Sequence, residues 1–261
     1  MGWLAAEQVS TPMARYKVIV AYDGTEFAGF QRQAKARTVQ GVIETALQPL
    51  GWSGRSLLAA GRTDTGVHAS GQVVAFDLDW RHTTLELQAA LNAALPVDVV
   101  VRQVQPVQED FHPRYDALAR RYRYSVLCQE VRDPLRERYS WRVWPPLEFD
   151  SLKAAARMLL GTHDFAAFGT PPRVGGSTIR TVLSADWEQI GQEMAFEIMA
   201  NAFLFRMVRR IVYILAAVAL GRLDAALISR SLEGQPDQLP AGLAPPHGLT
   251  LVEVIYPGEL E

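Results

Sequence analysis

The strongest constraint on the fold is an alternation. Short runs with apolar side chains at every second residue are separated by single stretches of helical spacing, and each is bounded by glycine, proline or a capping residue. Tyr16, Val18, Val20 and Tyr22 fall on one side of a strand that ends at the turn signal Asp23-Gly24. Thr38 stands as an N-cap before Val39, Val42, Ile43, Ala46, Leu47 and Leu50, which share one helix face until Gly51 stops it. A strand over 72–79, a helix over 84–95 and, after Pro96, a strand over 97–104 complete a β-α-β-α-β order.

The second half rhymes with the first in element type though not in sequence. Residues 120–128 read as a strand, and Asp150 can cap a helix carrying Leu152, Ala155, Ala156, Leu159 and Leu160 until Gly161. Strands follow at 181–190 and 193–200 with Gly191 as their turn, then a long helix over 203–220 and a last strand over 249–256. Strands separated by single helices and hairpins predict an α+β fold, with two similar halves joined through a mixed, mostly antiparallel sheet. Residues 1–14 read as a tail, with Met13 a candidate start, 15–110 as the first half and 111–261 as the second. The Pro- and Gly-rich stretches at 169–176 and 240–248 read as loops.

Composition narrows the function class. With 261 residues, 49% of them hydrophobic and 21% charged, the chain can bury a large core, which excludes disorder and collagen-like repetition. The longest apolar run, 211–220, is half the ~20 residues that span a bilayer. One cysteine, Cys128, and no CxxC pair make the cytoplasm the default location. His68, His82, His112, His163 and His247 lack ligand spacing, so no metal site is expected.

A net charge of −2 gives no sign of a nucleic-acid partner, but the charge is segregated. Residues 114–142 hold eight arginines against four acids, whereas 224–261 hold six acids against Arg230. Of 26 basic residues only Lys17, Lys35 and Lys153 are lysines. Guanidinium groups bind phosphate bidentately and stack on bases, so an arginine-rich segment interleaved with Tyr and Trp suits a structured RNA.

The densest polar loop is AAGRTDTGVHASG, residues 59–71. Gly61 and Gly66 bracket Asp64 and allow a tight backbone path, and Thr63 and Thr65 are placed to hydrogen-bond its carboxylate. On its own, an Asp in such a loop is more often a turn former. GRTDTGVHASGQV, however, resembles the active-site motif of the tRNA pseudouridine synthase A family. AYDGTEFAGFQRQ at 21–33, TVQGVIETAL at 38–47, FHPRYDALARRYRY at 111–124, GTHDFAAF at 161–168, NAFLFRMVRRIV at 201–212 and APPHGLTLVEVIY at 244–256 follow in the family's order.

The resemblance implies an isomerase that converts uridine to pseudouridine at positions 38, 39 and 40 of the tRNA anticodon stem-loop. It also implies a homodimer spanned by one tRNA, and a cleft between the two halves. No cofactor is implied, because the substrate supplies every atom of the product. Asp64 matches the catalytic aspartate, with attack at C1′ or at C6 both open, and Arg209 matches the arginine that would hold it charged. Tyr122 matches the tyrosine that stacks on the target base, and Arg62 the loop arginine that helps extrude it. Leu249 would be an apolar wall, and Arg121 and Arg123, beside Tyr122, would contact the RNA.

The chain departs from the family pattern at Phe30, where Trp is common, at Phe205-Arg206, where two histidines are usual, and at Arg210 and Tyr213, where Asn and Gly are usual. Arg206 adds a second cation, leaving open which arginine faces Asp64. Two other readings compete. A catalytically inactive tRNA-binding or RNA-folding module is disfavoured by the presence of Asp64, and a glycoside hydrolase by the lack of a second acid in its motif.

Overall fold

A computed structural model describes residues 13–235 and 239–259. The predicted tail lies outside the described residues as far as 12, and Ala14 already belongs to the first strand. The elements run β1 (Ala14–Tyr22), α1 (Val39–Leu47), β2 (Leu58–Ala59), β3 (His68–Leu78), α2 (Thr84–Ala94), β4 (Val99–Val107) and β5 (Ala119–Cys128). They continue through β6 (Trp141–Val143), α3 (Phe149–Arg157), β7 (Gly161–Asp164), β8 (Ile179–Ile190), β9 (Glu193–Ala200), α4 (Met207–Ala219), α5 (Ala226–Leu232) and β10 (Leu249–Ile255).

One sheet joins all the strands in the order β4-β1-β3-β10-β5-β9-β8-β7, with β2 beside β3 and β6 beside β5. Its pairs are antiparallel except β10 on β3 and β6 on β5, so the mixed, mostly antiparallel α+β expectation holds. The last strand is central rather than peripheral. β10 lies parallel to β3, with Thr250 opposite His68 and Leu251 opposite Ala69, and antiparallel to β5, with Leu249 opposite Tyr124.

Two apolar clusters flank this seam. Tyr16, Val18, Val20 and Tyr22 of β1 pack with Val39, Ile43 and Leu47 of α1 and Leu87 and Leu91 of α2. Tyr124 and Val126 of β5 pack with Leu152 and Ala156 of α3 and Ile211, Val212 and Leu215 of α4. Tyr122 touches both clusters, which puts its ring at the boundary of the halves. Thr38 caps α1 as expected, its Oγ1 accepting from the Gly41 N–H at 3.3 Å. Among the described residues no helix is long and apolar enough to cross a membrane.

Local differences from the sequence expectation have local causes. The strand expected at 72–79 begins at His68, because the distant β10 offers partners to His68 and Ala69. Val97 is fully exposed in the turn after Pro96, so β4 starts at Val99. The cap of α3 is Glu148, whose carboxylate accepts from the N–H groups of Asp150 and Ser151, and Asp150 lies in the first turn. The helix expected from 203 begins at Met207. Ahead of it, the Phe205 backbone is bridged to Thr170 and Arg206 turns left-handed at φ 64°. β2, β6, β7 and α5 are too short to carry a readable period.

Candidate active site

A cleft of about 970 Å³ opens where the halves meet, and Asp64, Arg62, Tyr122, Arg209 and Leu249 all line it. The loop that presents Asp64 is built by its neighbours. Gly29, at φ 91°, brings its backbone so close to the loop that a Cβ there would meet the Thr63 carbonyl oxygen at 2.9 Å. The Phe30 N–H donates to that same carbonyl at 3.0 Å, and the Gly66 N–H to the Phe27 carbonyl at 3.4 Å. The segment after β1 is therefore a brace for the Asp64 loop, a role its motif gives no hint of.

Thr63 does not serve Asp64. Its hydroxyl lies 2.8 Å from that of buried Tyr22, whose pKa burial pushes up to about 12. Gly66 meets the expectation of a special backbone, at φ 76°, whereas a Cβ on Gly61 would meet nothing. The carboxylate is held instead from α4. Arg209 Nη1 donates to Asp64 Oδ2 at 3.1 Å, with side-chain exposures of 13% and 19%. Among the described residues no donor reaches Oδ1. Geometry therefore selects Arg209 over Arg206 as the cation facing Asp64.

Arg209 is aimed by a loop that reads in the sequence only as a connector. Its Nε donates to the Ala244 carbonyl at 2.8 Å, and its own carbonyl accepts from the Ala244 N–H at 3.1 Å. Tyr124 pins the same loop through a 2.8 Å bond from its hydroxyl to the Pro245 carbonyl. Two departures from the family pattern turn out to be coupled through this loop. Arg210 donates to the carbonyls of Leu239, Pro240 and Gly242, and the Tyr213 ring lies so close to Gly242 that a Cβ would meet it at 2.3 Å.

Tyr122 is half-buried, and its ring meets Phe203 edge-on at 5.0 Å between centroids. Burial, reinforced by Tyr22 and Asp64, holds its hydroxyl well above the usual tyrosine range, so the ring is neutral. Leu249 is buried and lines the cleft. Arg120, which no motif singles out, is a buried strap. Its guanidinium donates to the carbonyls of Ala60, Arg114, Ala117 and Asn201, tying the Asp64 loop to both halves, and desolvation lowers its pKa.

Arg121 and Arg123 are not brought to the cleft. Strand alternation sets them opposite Tyr122, where Arg121 pairs with Glu253 at 3.3 Å and Arg123 with Glu197 at 2.8 Å. Four more arginines of the basic segment behave the same way: Arg132 and Arg142 pair with Glu137, Arg136 with Glu193 and Arg138 with Asp23. Of the arginines lining the cleft without a carboxylate among the described residues, Arg120 is spent on backbone carbonyls, which leaves Arg62, Arg114 and Arg206. The arrangement offers a carboxylate with one free oxygen, a flat neutral ring beside it, and guanidinium groups open to an anionic polymer.

A family model described as tRNA pseudouridine synthase matches residues 18–116 and 155–257. The chain is 38% identical over 246 residues to the tRNA pseudouridine synthase A of Geobacter sp. (strain M21), covering 94% of this chain and 100% of that one. It is 40% identical over 245 residues to the tRNA pseudouridine synthase A of Thermoanaerobacter sp. (strain X514), again covering 94% and 100%. It is 41% identical over 246 residues to the tRNA pseudouridine synthase A 1 of Bacillus cereus, covering 94% and 99%.

Proposed function

The chain belongs to the tRNA pseudouridine synthase family, and from that premise we propose that Asp64 attacks a uridine of the tRNA anticodon stem-loop at positions 38, 39 and 40. The enzyme is an isomerase acting on tRNA. The C1′–N1 bond breaks, the base turns, and C1′ is rejoined to C5, with the hydrogen lost from C5 matched by one gained at N1. The observation that carries this reading is the pairing of Asp64 Oδ2 with Arg209 at 3.1 Å, which leaves Oδ1 unengaged in a cleft beside the Tyr122 ring.

Each side chain has a role suited to its surroundings. Asp64 is the nucleophile, and Arg209, held by the Ala244 carbonyl, keeps its carboxylate oriented as charge shifts during reaction. Tyr122 receives the extruded base on a flat, neutral face that loses little entropy on binding. Arg62, exposed and without a carboxylate partner among the described residues, occupies the space the base vacates and meets the phosphate backbone. Leu249 closes the pocket against water. Residues 15–110 supply Asp64 and Arg62, and residues 111–261 supply Tyr122, Arg209 and Leu249. A cytoplasmic homodimer spanned by one tRNA is part of the same reading.

Site-resolved mapping of pseudouridine in unmodified tRNA incubated with the purified protein tests this. Conversion at positions 38, 39 and 40 is expected. Conversion elsewhere in the tRNA overturns the positional assignment, and no conversion overturns the reaction.

A further inference from the structure

Immediately before α4 the chain carries a side chain where backbone geometry favours none. Arg206 sits at φ 64° and ψ 7°, and among the described residues it is the non-glycine residue with a positive φ. L-residues pay free energy in this region and glycine does not. The turn itself is fixed by its surroundings. Phe205 exchanges two backbone hydrogen bonds with Thr170, and a Cβ at Gly169 would meet the Phe205 carbonyl oxygen at 2.8 Å. The Arg206 carbonyl accepts the first helical bond, from the Arg210 N–H at 3.0 Å.

The two side chains at this turn are not used by the protein. Phe205 is 51% exposed although it lines the cleft. Arg206 is exposed, and its guanidinium stacks over the Phe205 ring at 4.6 Å without a carboxylate partner among the described residues. The next arginines along the chain are both committed, Arg209 to Asp64 and Arg210 to loop carbonyls. On the same cleft Arg114 and Tyr115 repeat the combination, an unpaired guanidinium 5.9 Å from an exposed ring.

We propose that Phe205 and Arg206 form a substrate-binding element that holds the RNA strand beside the target nucleotide, with a neighbouring base stacked on the Phe205 ring and its phosphate paired with the Arg206 guanidinium. An aromatic face next to an arginine is the pairing that single-stranded RNA accepts without regard to sequence. The left-handed turn is what aims the guanidinium over the ring and into the cleft, so the strained residue is retained for its side chain. This element rests on the functional reading above and adds two residues to it.

The test compares wild type with Arg206→Gly, Arg206→Lys and Phe205→Ala in steady-state kinetics, in tRNA binding across a salt series, and in thermal unfolding. Arg206→Gly relieves the backbone, so its Tm is expected to be equal or higher. KM and Kd for tRNA should rise roughly tenfold, and the log–log salt slope should shrink by about 1. Phe205→Ala should raise KM to a similar extent with an unchanged salt slope, and Arg206→Lys should keep the slope while losing part of the affinity. Wild-type KM and salt slope in Arg206→Gly, with an active wild-type enzyme, overturn this element alone. A fall in Tm that tracks the loss of binding overturns it too, by showing a structural role. A wild-type protein that converts no uridine removes the functional reading beneath it as well.

Discussion

Arg121, Arg123, Arg132, Arg136, Arg138 and Arg142 each sit against a carboxylate of their own chain, whereas Arg62, Arg114 and Arg206, which line the cleft, have none among the described residues. The first group makes up six of the eight arginines of the basic stretch 114–142, and of the second only Arg114 lies in that stretch. Counting charge along the sequence therefore points mostly to the wrong arginines. Six cations in the basic stretch are neutralised by acids brought from the turn after β1, from β8, β9 and β10 and from their own loop, and exposed pairs of that kind contribute little to stability or to outside binding. The free guanidinium groups that remain are few, but they converge on the one concave surface that also holds a carboxylate and a flat ring.

That contrast can be broken most sharply at its centre. Asp64→Asn keeps the size of the side chain and removes the nucleophile, and turnover should fall by at least about 10³-fold while tRNA affinity stays near wild type. A single-turnover assay beside a binding assay checks both halves, and appreciable conversion by the variant would overturn the nucleophile assignment. Arg209→Lys retains charge but loses the fork that reaches Asp64 Oδ2 and the Ala244 carbonyl together. A loss of about 10²-fold in kcat is expected, and wild-type kcat with an unaltered pH profile would show that the pair is not used.

The two groups of arginines are separated next by their salt response. Arg62→Ala should weaken tRNA binding and reduce the salt slope by about 1. Arg123→Ala, which takes a partner from Glu197, should leave the slope unchanged and alter stability by no more than about 1 kcal/mol. Equal slopes for the two variants would dissolve the distinction.

The smallest effect is on stability against pH. His68 is buried against Asp23, Tyr139 and the His247 carbonyl, and burial lowers the pKa values of both His68 and His247. Arg138 also faces this cluster through Asp23. Burial by itself raises the Asp23 carboxyl, but hydrogen bonds from Thr25, Arg138 and Tyr139 outweigh it and keep Asp23 ionised well below the usual carboxylate range. Below the unfolded histidine pKa of ~6.5 the unfolded chain binds protons that the native protein does not, so stability declines as pH falls from there toward the depressed native values. Chemical denaturation at pH 7.5 and 5.5 should show the decline, and His68→Gln should make it shallower.

The sequence carries the main lines of both fold and site, and the reasons for its silences are specific. Period-two and period-3.6 patterns mark β1, α1 and α2 because each has one buried face, and β3, buried on both faces, shows as an apolar run over 73–76. The motif blocks mark Asp64, Tyr122 and Arg209, which the chain then brings to one cleft. Nothing local shows that the 240–248 loop positions Arg209, because the contact uses the Ala244 carbonyl, and every residue has one. Nor does the pattern reveal that Thr63 turns to Tyr22 and away from Asp64, since that depends on a partner 41 residues away. The start of α4 is displaced for a related reason. Residues 203–206 have helical spacing, but the Thr170 bridge claims the Phe205 backbone first.

The place of β10 has a consequence for how the protein comes into being. Synthesis runs from the N-terminus, so β3 and β5 leave the ribosome with the edges that will flank β10 unpaired, and they stay so for more than a hundred residues. The Arg209 helix likewise emerges before the loop that aims it. Each half can gather its own apolar cluster early, but the two cannot be fused, and Tyr122 cannot be sealed between them, until Leu249–Ile255 is threaded into the gap. A chain interrupted anywhere before that strand would present two open edges to its neighbours and no assembled cleft to RNA. The assembled cleft thus waits on a strand made long after the two it joins.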